Sequence, residues 1–98
     1  MDMDKAINMA VKSGNVEFGI ERAKQNARLG KVKLIIYAEN AFQEVIAELE
    51  HLAKLGTPVL RYPKDRADLG AACGRPHMIS VLAIYNPGDS PILQMVSK

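Results

Sequence analysis

Gly19 stands directly before a helical pattern whose first turns carry Glu21, Arg22 and Lys24. A helix start is partly positive and leaves backbone N–H groups unpaired, so a glycine there with two cations beside it suits a phosphate. The same residues also fit a solvated basic helix face. Asn40 has two readings as well. Its side chain can cap the helix that follows, with Gln43 three residues on as in a capping box, or its amide can read a base edge. Gly74 and Arg75, at the stop of a later helix, are a third candidate for an anion, although an arginine beyond a helix end is ordinarily solvated.

Catalytic and metal chemistry find no such support. Cys73 is the one cysteine, which excludes an internal disulfide, and with His51 and His77 it makes no zinc spacing. Neither histidine sits in a motif that would place it beside a nucleophile. Cys73 fits a small buried hydrophobe at a helix end. Gly70, Gly74 and Arg75 complete neither the dinucleotide fingerprint nor a phosphate loop. The expectation is no catalytic residue, no metal and no cofactor.

A chain of 98 residues is long enough for one domain and too short for two, so a single domain over 1–98 is expected. With 48% apolar and 24% charged residues it can enclose a core. Its longest apolar runs, Leu34 to Ala38 and Val81 to Tyr85, fall far short of a membrane span, and Asp2 and Asp4 stand where an export signal would be basic. A cytoplasmic protein is expected. The net charge of +2 is small but unevenly spread. Arg22, Lys24, Arg28, Lys31 and Lys33 follow one another without an acid, and Glu39, Glu44, Glu48 and Glu50 without a base, so the two stretches would present opposite fields if they lie on different faces.

The elements that must position these residues follow from the apolar spacing. Met3, Ala6, Ile7, Ala10 and Val11 predict a helix over 3–13, capped by Asp2 or Asp4 and stopped at Gly14. A short strand over 15–18 precedes a second helix with Ile20, Ala23 and Ala27 inward and Lys24, Arg28 and Lys31 along one exposed stripe, ending at Gly30. Val32 to Ala38 reads as a central strand covered on both faces. A third helix from Asn40 turns Val45, Ile46, Leu49, Leu52 and Ala53 inward and closes at Lys54 and Gly56. Thr57 to Tyr62 is a strand, Asp65 to Cys73 a helix capped by Asp65, Met78 to Tyr85 the last long strand, and Pro91 to Val96 a short helix capped by Ser90. Such alternation implies an α/β sheet with helices on both faces.

The strings Gly19-Ile-Glu-Arg-Ala-Lys-Gln-Asn-Ala-Arg-Leu-Gly30, Lys33-Leu-Ile-Ile-Tyr-Ala-Glu-Asn40, Asp68-Leu-Gly-Ala-Ala-Cys-Gly-Arg-Pro-His77, Pro87-Gly-Asp-Ser90 and Ile92-Leu93 stand in this order along nearly the whole chain. Together they resemble the large-subunit ribosomal protein thirty family of archaeal and eukaryotic type, within a wider superfamily of kink-turn RNA binders. The resemblance implies a three-layer α/β/α sandwich with a four-stranded mixed sheet. It also implies that three neighbouring turns hold the RNA: Gly19 to Lys24, Glu39 to Ala41, and Gly74 to Met78. In this mapping Gly19, Glu21, Arg22 and Lys24 lie against the bent backbone, and Glu39 and Asn40 form the second turn, with Asn40 reaching a guanine edge beside sheared G·A pairs. Gly74, Arg75, Pro76 and His77 form the third, where His77 and Met78 offer an apolar surface to an extruded base. Relatives usually carry a basic or amide residue where this chain has Glu21, with the base displaced to Arg22. What the resemblance implies is a structural constituent of the large ribosomal subunit, in the cytoplasmic ribosome. It would be a monomer when free and meet rRNA and other ribosomal proteins on assembly. A sibling serving a small ribonucleoprotein particle is one alternative, which the Gly74 to His77 and Pro87 to Ser90 strings disfavour. A protein-binding adaptor using the acidic third helix is another.

Overall fold

The computed structural model describes residues 2–96, so positions 1, 97 and 98 of the expected domain lie outside the described residues. Along these run α1 (Met3–Ser13), β1 (Asn15–Phe18), α2 (Ile20–Arg28), β2 (Leu34–Ala38), α3 (Gln43–Lys54), β3 (Val59–Tyr62), α4 (Arg66–Ala72), β4 (Val81–Asn86) and α5 (Ile92–Val96). Asp2 caps α1 by accepting the Lys5 N–H at 2.8 Å, and Asp65 caps α4 by accepting that of Asp68 at 2.9 Å. Ser90 accepts the Ile92 N–H at 3.2 Å and donates to the Ala6 carbonyl, which fastens the start of α5 to α1.

Strand alternation sorts the core into two layers. Leu34, Ile36 and Ala38 of β2 and Leu82 and Ile84 of β4 join Ala6, Ile7, Ala10, Leu69 and Ile92 on the face covered by α1, α4 and α5. Ile35, Val81 and Ala83 point the other way, toward Ala23 of α2 and Leu49 and Leu52 of α3. This is the three-layer sandwich expected. Its sheet runs β1-β4-β2-β3, with β4 antiparallel to both neighbours and β2 parallel to β3, hence mixed. The register pairs Phe18 with Leu82, Tyr37 with Val81, and Ala38 with Tyr62. The last residues of β1, β2 and β3 and the first of β4 therefore share one end of the sheet, and the four loops attached to them open there.

The boundaries differ from expectation where a loop has a stronger partner. Helix α3 starts at Gln43 with Phe42 as cap residue, because Asn40 is held in a tight turn closed by the Ala41 N–H on the Ala38 carbonyl at 3.0 Å. Its side chain is engaged elsewhere, so the Asn40–Gln43 capping box does not form. Ala53, expected inward, is exposed. Residues 78–80 leave the strand pattern because the Ile79 N–H donates to the Arg66 carbonyl at 3.1 Å. Likewise β2 begins at Leu34 and β3 at Val59, although Val32 still reaches the core and Pro58 still accepts the Ile35 N–H at 2.9 Å.

Helix α2 stops at Arg28, two residues before Gly30, so the expected Lys24–Arg28–Lys31 stripe does not exist. Lys24 and Arg28 line a groove between α2 and α3, whereas Lys31 joins Arg22 and Asn26 around a recess beside Tyr85. Nor do the basic and acidic stretches face apart. Helices α2 and α3 cover the same sheet face, and Lys24 bridges them.

Candidate nucleic-acid interface

The first loop at the shared end is one residue long. Gly19 has φ 105°, a value side chains rarely adopt, and its N–H donates to the Val81 carbonyl at 3.0 Å. That bond sets the start of α2 against the start of β4. No side chain caps α2, so its first N–H groups stay open to a ligand. The cations expected beside them are largely occupied. Lys24, with its side chain only 22% exposed, bonds Glu48 at 2.7 Å and Glu21 at 3.6 Å, and the Glu48 bond holds its pKa above the ordinary lysine value. Arg22 turns back to Glu17 at 3.3 Å, and Glu17 also accepts from the Tyr85 hydroxyl. Glu21 itself is exposed.

In the second loop the Ala38 N–H donates to the Ser80 carbonyl at 2.9 Å and the Glu39 N–H to the Lys64 carbonyl at 3.0 Å. Asn40 Oδ1 accepts the Arg66 N–H at 2.8 Å. Because that partner is a donor, the side-chain oxygen must face it, and the amide NH2 is left directed elsewhere on an exposed residue with no partner among the described residues. Asn40 thus supports the first turn of α4, not of α3, and retains a donor.

The third loop begins with a Schellman stop. Gly74, at φ 74°, donates to the Ala71 carbonyl at 2.9 Å, and the Arg75 N–H to the Gly70 carbonyl at 2.9 Å. The Arg75 guanidinium lies 5.2 Å from the centre of the Phe18 ring and has no ion-pair partner among the described residues. Pro76, His77 and Met78 follow as exposed residues. Their position is set from below: a Cβ on Gly70 would lie 2.1 Å from the His77 carbonyl oxygen, so the helix and the loop touch backbone to backbone. Gly19, Ile20, Val45, His77, Met78 and Val81 surround a recess of about 360 Å³ that joins the first loop to the third.

All three expected segments therefore lie at one sheet end, with Asn40, Arg75, His77 and Met78 accessible and Lys24 and Arg22 held by acids. Sequence reasoning missed Phe18, Phe42 and Arg66, and it weighed Gly70 only for a phosphate loop and not for its close approach to His77. A glycine inside a helix costs about 1 kcal/mol relative to alanine, which was a usable sign of close packing at Gly70. The aromatic–arginine pairs carried no local signal, because their members are 24 and 57 residues apart. Cys73 is buried, and burial pushes its thiol up to about 11, as suits a core residue. Among the described residues no group of His, Cys, Asp or Glu could hold a metal, and no helix is long and apolar enough to cross a membrane.

Comparison with known proteins agrees with this architecture. A protein of unknown function from Bacillus halodurans superposes with a TM-score of 0.80 over 94% of this chain and 92% of its own, at 22% identity, a likeness of fold. The large ribosomal subunit protein eL30 of Methanothermobacter thermautotrophicus is 41% identical over 98% of this chain and 99% of its own. Those of Methanosphaera stadtmanae and Methanopyrus kandleri are 41% and 37% identical over 97% and 99% of this chain, and 98% and 90% of their own. Residues 1–94 match the ribosomal protein L7Ae/L30e/S12e/Gadd45 family as a whole. Sequence, layer order and sheet topology lead to one conclusion, that this chain belongs to that family.

Proposed function

We propose that this protein is a structural constituent of the large ribosomal subunit, in the cytoplasmic ribosome, that holds a kink-turn of rRNA at the shared loop end of its sheet. The observation that carries the reading is the convergence of the Gly19, Asn40 and Gly74–Met78 loops on that end, with an open helix start, an unpaired amide donor and an apolar recess side by side. Structured RNA offers its bases at bulges and bends, where such a set of groups can reach them together. Here Gly19 and Glu21 to Lys24 approach the bent backbone, Glu39 and Asn40 a base edge, and Gly74 to His77 an extruded base. The names of the archaeal relatives support the ribosomal setting. Nothing in this function calls for a catalytic group or a cofactor, and the free protein is a monomer that meets other ribosomal proteins on assembly.

The test is a titration of the protein with a kink-turn RNA and with a straight duplex of equal length at matched salt. Tighter binding to the kink-turn is expected. Equal affinity would remove the reading and favour an adaptor function, in which RNA binding follows charge alone.

A further inference from the structure

Phe42 precedes α3 at the loop end and is 61% exposed, although it makes no side-chain bond that caps the helix. A large aromatic left in water beside a binding surface needs a reason. The Arg66 guanidinium lies 5.1 Å from the ring centre, within the range of a cation–π contact. Arg66 is fixed through its backbone, with its N–H on Asn40 Oδ1 and its carbonyl accepting from Ile79. Its guanidinium has no carboxylate partner among the described residues, and its Nε is buried without a hydrogen bond. Lys24, Arg22 and Lys64 at or near the same end are each paired with an acid. Arg66 therefore brings an uncompensated charge to a flat apolar ring, next to the amide of Asn40.

We propose that Phe42 and Arg66 form a stacking site for one unpaired nucleobase of the bound RNA, with Arg66 meeting a phosphate of that strand. The inference rests on the RNA-binding reading above and adds a site to it. It lies on the β3 side of the loop end, whereas the His77–Met78 recess lies toward β1. A nucleotide is the occupant that matches both halves: the base has a π face for Phe42, and its phosphate complements an arginine that no acid neutralises. A purely apolar protein segment would leave that charge unanswered.

The experiment uses the intact protein, a kink-turn RNA and a straight duplex, with Phe42→Ala, Phe42→Leu and Arg66→Ala as variants. Phe42 is exposed and serves the start of α3 through its backbone alone, which substitution leaves in place, so its variants should melt near wild type; Phe42→Leu keeps apolar bulk without a flat ring. Both should weaken kink-turn binding about 5- to 150-fold, the usual loss when a stacking aromatic is truncated. Abasic replacement of one unpaired nucleotide should abolish the difference between wild type and Phe42→Ala. Arg66→Ala should make the dependence of log affinity on log salt shallower by about 0.7 to 0.9, the share of one phosphate. If wild type does not prefer the kink-turn, the RNA-binding reading itself fails. If wild type prefers it and Phe42→Leu binds within twofold of wild type, the stacking site is overturned, because apolar contact alone or no contact then accounts for Phe42.

Discussion

In the function proposed above, Asn40 joins stability and recognition through two atoms of one amide, and substitution can separate them. Its Oδ1 holds the Arg66 N–H at 2.8 Å, and its NH2 is open. Alanine removes both. A net hydrogen bond is worth about 0.5 to 1.5 kcal/mol, and in a domain of this size 1 kcal/mol corresponds to a Tm shift of about 4 to 8 °C. Asn40→Ala should therefore melt about 2 to 12 °C lower. Aspartate keeps an acceptor at the same place. Its charge gains from the helix start and from Arg66, and is opposed by Asp65 and Asp68 on that turn, so Asn40→Asp should melt close to wild type. Toward RNA the order reverses. Alanine only loses the donor, while aspartate loses it and adds a negative charge beside phosphate, so Asn40→Asp should bind more weakly than Asn40→Ala and at least about tenfold more weakly than wild type. Thermal melts and kink-turn titrations of the three proteins decide the matter. If Asn40→Asp loses as much Tm as Asn40→Ala, the acceptor role is wrong; if it keeps wild-type affinity, Asn40 is structural only.

Three further outcomes are expected. Gly70→Ala forces a Cβ to within 2.1 Å of the His77 carbonyl oxygen; overpacking of about 1 to 3 kcal/mol should exceed the roughly 1 kcal/mol helix gain, and melts and titrations should show a lower Tm with weaker kink-turn binding. Glu21→Gln should leave Lys24 on Glu48, lower stability slightly through the helix start, and tighten RNA binding at low salt; weaker binding at both low and high salt would make Glu21 a base contact. In the same salt series Lys24→Ala should flatten the slope less than Arg75→Ala, since Lys24 is already paired with acids and Arg75 is not. The folded thiol of Cys73 keeps its proton to about 11 against 9.0 ordinarily. The folded state thus binds the proton more tightly, its contribution is complete below pH 9 and is lost as pH rises toward 11, and denaturant titrations should record up to about 2 to 3 kcal/mol less stability there. Tyr62, raised by burial and by its bond to Asp4, adds to the loss in the same direction; constant stability from pH 9 to 11 would contradict both.

The elements were legible because each helix and strand declares itself locally. Ala6, Ile7 and Ala10 recur on one helix face, Leu34 to Ala38 is apolar without a break, and Asp65 stands three residues before Asp68 as a cap should. The three loops of the candidate site were found from turn residues and their resemblance to a known pattern. Partners distant in the chain were not legible. Lys24 looked solvated because its acid, Glu48, is 24 residues away on another helix, and Asn40 looked like a cap for the helix after it because its acceptor is claimed by Arg66. Both cases have one physical cause. A side chain chooses among neighbours that only the sheet order brings together, and local spacing contains no record of that order.

The sheet order also sets when the loop end can exist. Strand β4, the last of the four in sequence, lies between β1 and β2, which do not pair with each other. Until residues 81–86 are inserted, nothing holds the Gly19 turn beside the Asn40 turn, since Gly19 is fastened to Val81 and Ala38 to Ser80. A nascent chain that has emerged only as far as α4 can form its helices and the parallel β2–β3 pair, yet has not assembled the loop end at which RNA binding is proposed. Insertion of a central strand late in the sequence is a non-local event and therefore a slow one. Binding competence should appear in one step with the closing of the sheet, so that RNA selects finished molecules from those still folding.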